Sequence, residues 1–337
     1  MSSAEVLVDE YDAALFDLDG VVYLGPVAVP CAPEALEGLR SRGVRIGFVT
    51  NNAARPPQAV AEHLAELGIR CDESDVVTSA QAAARLLRDR FGARAKVLVV
   101  GGDGIVDALR EADLVGVRTT EEGPVAVIQG YASDLTWEQL NEAAIAIQRG
   151  AYWVATNTDS TRPTDRGIVP GNGAAVAAVR TAVHVDPEVA GKPYRPLMDE
   201  TVNRLKASHP IFVGDRVDTD IAGAVAVGMD SLFVLSGAHG AAELLAAGRG
   251  CRPTHIGTDL SALLLPPRQV TRIVNRAICG SMSAVATSSE IRLETAPTDQ
   301  EQAVDALWAA TQLVWQARDQ GHVLSPAPVL RVLSALA

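Results

Sequence analysis

Two aspartates follow four apolar residues near the start of the chain, in the run Ala-Ala-Leu-Phe-Asp17-Leu-Asp19-Gly20. The apolar run predicts a buried strand that ends at Asp17, with Gly20 opening a loop. Side chains two apart on an extended chain point to the same side, so both carboxylates can face one pocket. Held that close, they repel unless a cation lies between them or one keeps a proton. A divalent metal near Asp17, with Asp19 as a proton carrier, meets both conditions. An Asp-rich turn without chemistry is the plainer alternative. Three more groups stand in similar settings. Thr50-Asn51-Asn52 ends a second apolar run, Lys192 sits between Gly191 and Pro193, and Asp215 and Asp220 follow Ile211-Phe-Val213.

Only a scaffold that gathers four distant stretches could use these groups together. Residues 13–90 alternate strand and helix patterns. Residues 44–49 read as a strand, and residues 33–40 and 57–67 carry helical stripes (Ala35, Leu36, Leu39; Val60, Leu64, Leu67), the second stopped by Gly68. That order predicts a parallel sheet with helices on its faces, where ligands bind at the carboxyl ends of strands. Asp17 and Thr50 fall at such ends. Residues 91–185 hold a second α/β set, with strands at 96–100, 125–128 and 152–155 and a helix at 137–148. Gly101-Gly102-Asp103-Gly104 matches neither a dinucleotide nor a P-loop spacing and reads as a turn. Residues 156–174, rich in Thr, Asn, Asp, Pro and Gly, read as a functional polar loop, followed by a helix at 174–183.

From residue 186 the first pattern resumes, with helices at 196–207 and 221–227 and strands at 211–213 and 231–235. Pro266-Pro267 marks a boundary. Beyond it, 283–286 and 290–294 alternate as strands, and Thr298-x-x-Glu301 reads as a capping box. Val304, Leu307, Trp308, Thr311, Val314 and Trp315 form one helical stripe. The fold expected is α/β: a doubly wound parallel core from 1–90 and 186–266, an inserted α/β cap at 91–185, and a short α+β appendage at 267–337. An appendage that small does not bury its stripe alone, so it is expected to dock on the core or to form a homodimer contact.

The totals exclude several classes of partner. The 337 residues carry 41 acidic and 29 basic side chains, for a net charge of −12. Nucleic acids and anionic membranes need basic patches, so neither is expected as a partner. No apolar run approaches the roughly 20 residues of a membrane helix, and the N-terminus lacks a basic-then-apolar signal. Cys31, Cys71, Cys251 and Cys279 lack metal-ligand spacing and suggest reduced thiols in a cytoplasmic protein.

Taken in order, Asp17/Asp19, Thr50-Asn51, Lys192 and Asp215/Asp220 resemble the four motifs of the haloacid dehalogenase superfamily of phosphotransferases, over about residues 10–265. The insertion between the second and third motifs, and the string from Thr156 to Ala174, resemble the subfamily with a large α/β cap. The resemblance implies an aspartyl-phosphate intermediate on Asp17, with Asp19 as acid and then base. It implies Mg²⁺ held by Asp17, the Asp19 backbone oxygen and Asp215, with Asp220 orienting that shell, and Lys192 offsetting the charge between Asp17 and phosphate. Thr50 and the Asn51 amide would hold phosphate oxygens beside Gly20 and Asn52, and Asp159 and Arg162 would meet the leaving group. Members with dehalogenase activity lack the second aspartate and ion-pumping ATPases carry threonine there, so Asp19 favours a phosphatase of a small phosphorylated metabolite. Length, tail and opening look like the actinobacterial glycerol-3-phosphate phosphatases. Phosphoglycolate, pyridoxal phosphate and nucleotide phosphatases are the alternatives. The tail of those relatives is said to resemble part of an acetyltransferase, but this one has no Arg-x-x-Gly-x-Gly loop for coenzyme A. A non-catalytic regulatory protein on the same fold is the rival from another class, and the intact motif set speaks against it.

Overall fold

The structure is a computed structural model that describes residues 5–164 and 166–334. The chain packs as two compact units, one of residues 1–24, 28–45 and 209–337, the other of residues 25–27 and 46–208. This division groups two helices of the expected core with the expected cap: one of them packs on a helix of the cap, and the two pack on each other. The helix Ser79–Phe91 packs on both Asp103–Glu111 and Arg195–Leu205, and the tail packs on strands and helices of 209–266.

The first unit is built on parallel strands in the order His255–Gly257, Asp230–Val234, Pro210–Gly214, Ala13–Phe16. Ala13–Phe16 is buried at all four positions, as expected of a parallel strand covered on both faces. The tail adds a four-stranded antiparallel sheet, Val270–Ile273, Arg276–Cys279, Met282–Ala286 and Ile291–Leu293, followed by the helices Gln300–Asp319 and Ala327–Leu333. The first two of these strands were not anticipated, since Val270–Ile273 is largely exposed and shows no clean alternation. The stripe from Val304 to Trp315 is buried within the chain, Trp308 and Trp315 meeting edge to face at 5.7 Å. Docking on the core therefore accounts for it. The expected capping box of Thr298 and Glu301 does not form: Asp299 is the N-cap and accepts from the Gln302 backbone amide at 2.8 Å, while the Gln302 side chain accepts from the Thr298 amide at 3.0 Å.

The second unit pairs Arg45–Thr50 with Val76–Thr78 and builds a five-stranded parallel sheet in the order Glu188–Val189, Tyr152–Ala155, Ala126–Gln129, Lys96–Val100, Val115–Val117. Leu98, Val127, Trp153 and Val176 lie in its core. Two readings need correction. Only Gly101 and Gly102 form the turn after Val100; Asp103 already begins the helix Asp103–Glu111. Gly104 lets that helix approach the backbone at Ala53–Arg55, since a side chain there would strike the Ala53 carbonyl and Arg55. The stretch read as a polar loop forms an antiparallel ribbon, Thr161–Thr164 with Gly167–Pro170. Its β-branched Thr161, Ile168 and Val169 favour extended backbone, and Gly167, at φ +129°, accepts a turn geometry unfavourable to other residues.

Candidate active site

In the first unit, the carboxyl ends of two neighbouring strands carry the acidic residues. Phe16 is in register with Val213, and the Asp17 amide continues the ladder to the Val213 carbonyl at 2.9 Å. Asp17 and Asp215 therefore leave the sheet side by side. A single π-helical turn, Val217–Ile221, brings Asp220 back beneath them, its Oδ2 accepting from the Arg216 amide at 3.1 Å. Carboxylate oxygens of Asp17, Asp215 and Asp220 lie within 4.8 Å of one another. Asp215 and Asp220 are buried, Asp17 is half-buried, and Asp19 is exposed. The Asp19 carboxylate is not part of this cluster.

The loop Ser236–Gly240 sets Asp215. The Ala238 amide donates to Asp215 Oδ2 at 2.6 Å and the His239 amide to the Asp215 carbonyl at 3.3 Å. The Val217 amide donates to His239 Nδ1 at 3.1 Å, and the Ser236 hydroxyl to the Gly20 carbonyl at 2.7 Å. Gly20, at φ +87°, and Gly237 both lie against the Asp215 carboxylate, where a Cβ would collide with it. The sequence reading missed this loop, although Ser-Gly-Ala-His-Gly directly after a strand was a legible signal.

Two ionised carboxylates at that spacing repel by on the order of 3 kcal/mol at an effective dielectric constant of about 20. Three of them, two fully buried, call for protons or a cation. The donor set is all oxygen and compact, which fits a hard divalent cation such as Mg²⁺.

The second unit holds Thr50, Asn51, Asn52, Asp159, Arg162 and Lys192. Thr50 ends the strand Arg45–Thr50, and its hydroxyl accepts the Asn52 amide at 3.0 Å. Asn52 is exposed and caps the Ala54 amide at 2.9 Å. Asn51 is the hub. Its Oδ1 accepts from the Lys192 amide at 2.7 Å, and its Nδ2 donates to the Lys192 carbonyl at 3.1 Å and to Asp159 Oδ2 at 3.4 Å. Its own carbonyl accepts from Ser79 Oγ at 2.7 Å and from Asn157 Nδ2 at 2.8 Å. Ser79 reaches it because the capping box of Thr78 and Gln81 starts the helix at that point.

Gly191 fits because a Cβ there would meet the Thr156 carbonyl and Asn51 Oδ1. The turn it opens is closed by the Tyr194 amide on the Gly191 carbonyl at 3.0 Å, and the Lys192–Pro193 peptide is cis. Lys192 is 3% exposed, with Nζ 3.4 Å from the Val49 carbonyl. Asn157, Asn172 and Ser79 escaped the sequence reading. The first two lie in the string flagged as dense in polar residues, but nothing local marks which of them point inward. Arg162 is exposed and donates to the Tyr131 hydroxyl at 2.8 Å while lying 4.5 Å over its ring.

Comparison with known proteins agrees with this architecture. Residues 14–115 match the haloacid dehalogenase-like hydrolases, and residues 189–263 match a second HAD-hydrolase-like family. The chain belongs to the haloacid dehalogenase-like hydrolases. It is 47% identical over 257 residues to the D-glycerol 3-phosphate phosphatase of Mycobacterium tuberculosis, covering 76% of this chain and 72% of that one. It is 36% identical over 230 residues to an acid sugar phosphatase of Staphylococcus aureus, covering 68% and 88%. A crystal structure of a glycerol phosphate phosphatase from Mycobacterium tuberculosis in complex with magnesium superposes with a TM-score of 0.80 at 41% identity, covering 93% of each chain.

Proposed function

We propose that this protein is a Mg²⁺-dependent phosphatase of small phosphate monoesters, with glycerol 3-phosphate as the preferred substrate. The observation that carries the reaction class is the cluster of half-buried Asp17 with buried Asp215 and Asp220 in a chain of this family. The substrate rests on the 47% identity to a D-glycerol 3-phosphate phosphatase.

The two sets of residues then serve one reaction. Asp17, the Asp19 backbone oxygen and Asp215 hold the metal, with Asp220 fixing their arrangement. When bound, Mg²⁺ supplies positive charge that offsets the anionic phosphate. An Asp17 carboxylate oxygen attacks phosphorus, forming an aspartyl phosphate as the bond to the ester oxygen breaks. Asp19 gives its proton to the departing alkoxide. As a carboxylate it then takes a proton from the water that releases phosphate from Asp17. The Thr50 hydroxyl and the Asn51 backbone amide donate to phosphate oxygens, the Asn51 side chain being engaged on Lys192. The Lys192 ammonium offsets charge between carboxylate and phosphate. Residues 91–185 act as the cap that selects the leaving group, and 1–90 with 186–266 as the catalytic core.

Phosphate release from glycerol 3-phosphate, sugar phosphates, phosphoglycolate, pyridoxal phosphate and nucleotides, with Mg²⁺ and after chelation, tests the reading. The highest kcat/KM is expected on glycerol 3-phosphate, lost on chelation. Release from none of the esters would end the phosphatase reading, and a sugar phosphate turned over fastest would reassign the substrate.

A further inference from the structure

A short helix links the tail to the loop beside the acidic site. Ala241–Ala246 has six residues, too few to satisfy its last carbonyls internally. The C-terminal helix Gln300–Asp319 supplies the missing donors. Arg318 donates to the carbonyls of Ala246 at 2.8 Å, Ala247 at 2.9 Å and Leu245 at 3.3 Å, and Trp315 Nε1 donates to Leu244 at 3.2 Å. Both donors are themselves held. Arg252 lies 5.0 Å over the Trp315 ring, and Arg252 and Arg249 pair with Asp319 next to Arg318. Leu244 and Leu245 are buried against Leu307, Trp308 and Trp315 in one cluster.

At its other end the same helix begins directly after Ser236–Gly240, the loop that donates to both oxygen-bearing groups of Asp215, receives Val217 on His239, and ties Gly20 through Ser236. Six residues of helix span about 9 Å. A displacement at the clamped end is thus passed to the loop by a rigid rod rather than absorbed by a flexible linker. Asp215 has little room to absorb it, since Gly20 and Gly237 already lie against its carboxylate.

We propose that Arg318, with Trp315, is a positioning residue for the metal site: it fixes the helix Ala241–Ala246 and through it the loop that aims Asp215. The tail then does more than cover apolar surface, because its last helical turn sets the geometry of a carboxylate it never touches. The inference rests on the reading that Asp17, Asp215 and Asp220 hold a divalent cation.

The test compares full-length Arg318→Ala, Arg318→Lys and Val329→Ala. Val329 is buried in the helix Ala327–Leu333, which packs on the strand Ile291–Leu293 and on the helix Gln300–Asp319, so its truncation loosens the tail without removing either donor. Two quantities are read without substrate: Mg²⁺ affinity by calorimetry, and hydrogen exchange of the Ala238 and His239 amides in the metal-free protein. Residues that orient metal ligands directly typically change affinity ~10–100-fold, so a residue one step further out is expected to weaken Mg²⁺ binding about 3- to 10-fold. Arg318→Ala should also speed exchange at both amides, Arg318→Lys should recover part of both effects, and Val329→Ala should leave both unchanged. Should Arg318→Ala not fold, Trp315→Phe keeps the ring packing and removes one of the donors. Unchanged exchange at 238 and 239 in the clamp variants, or an equal change in Val329→Ala, overturns the positioning role. Failure of the wild type to bind Mg²⁺ would instead overturn the metal reading, and the exchange data would still decide the coupling.

Discussion

Asp17 and Asp19 are separated by one leucine and by their surroundings. Asp17 is half-buried among two carboxylates, whereas Asp19 is exposed just past the strand. An exposed carboxyl exchanges protons with water readily, which suits an acid that must become a base within one turnover. On the proposed mechanism, Asp17→Asn removes the nucleophile and should abolish turnover of every ester. On the same reading, Asp19→Asn leaves the nucleophile and the backbone oxygen but removes the proton donor. An alkyl ester departs as a poor alkoxide and depends on that proton, while a nitrophenyl ester departs as a stabilised phenolate. Asp19→Asn is expected to slow phosphoryl transfer from glycerol 3-phosphate by ~10²–10⁴, and transfer from the aryl ester by less, with phosphoenzyme accumulating on the aryl ester. Single-turnover kinetics on both esters measures this. Equal losses without trapped phosphoenzyme would remove Asp19 from acid–base catalysis.

The elements that carry these residues divide by rigidity. Asp17, Thr50 and Asp215 sit at or just past the ends of buried parallel strands, so their positions follow from sheet register. The ribbon Thr161–Thr164 with Gly167–Pro170 is an isolated two-stranded element with Ile168 78% exposed, and such ribbons are marginal without outside support. Its Arg162 rests on Tyr131, which ties the ribbon to the turn after Ala126–Gln129. An exposed cation–π pair is worth about 0.5–1 kcal/mol, so Arg162→Ala is expected to shift the ratio of kcat/KM between glycerol 3-phosphate and a sugar phosphate by about 2- to 5-fold. Its Mg²⁺ dependence should match the wild type. A variant with altered metal response and unchanged ester preference would show that the ribbon does not select substrate.

At the scale of the whole molecule, the amino ends of the first unit's strands carry a second polar cluster, at the opposite end from Asp17 and Asp215. The Tyr11 hydroxyl donates to Asp230 at 3.0 Å and lies 3.2 Å from His255 Nε2, with the His209 ring 4.9 Å from Tyr11. Burial and the neighbouring Asp230 push the Tyr11 phenol above its ordinary range. Burial lowers the His255 pKa from 6.5, against the opposing pull of Asp230 and Glu10. Folded His255 therefore binds its proton less readily than the unfolded chain does, so unfolding takes up a proton below pH 6.5. Its stabilising contribution is complete above that pH and is lost as the pH falls toward the lowered value. Thermal melts across this window are expected to show Tm falling with acid in the wild type, and falling less in His255→Gln. Parallel curves for the two proteins would exclude His255 as the source.

Much of the fold was legible because parallel strands and amphipathic helices leave local signatures. The apolar run before Asp17, the stripes of 57–67 and 304–315, and the strand 96–100 are periodicities that one chain segment carries alone. The residue types of the site were legible for the same reason: each motif is a short polar interruption at the end of such a run. Long-range geometry was not. That Asp220 returns to Asp215 depends on one π-helical turn, and that Asn51 clamps Lys192 depends on two segments 141 residues apart. The buried status of Asn157 and the role of Ser236–Gly240 likewise follow from which backbone groups surround them, since polar residues in a loop take their partners from whatever the fold brings near. Gly104 and Gly191 read as turn punctuation along the chain, and Gly237 carried no reading at all. Their reason lies in the carbonyls and carboxylates that the folded chain presses against them, which no local pattern encodes.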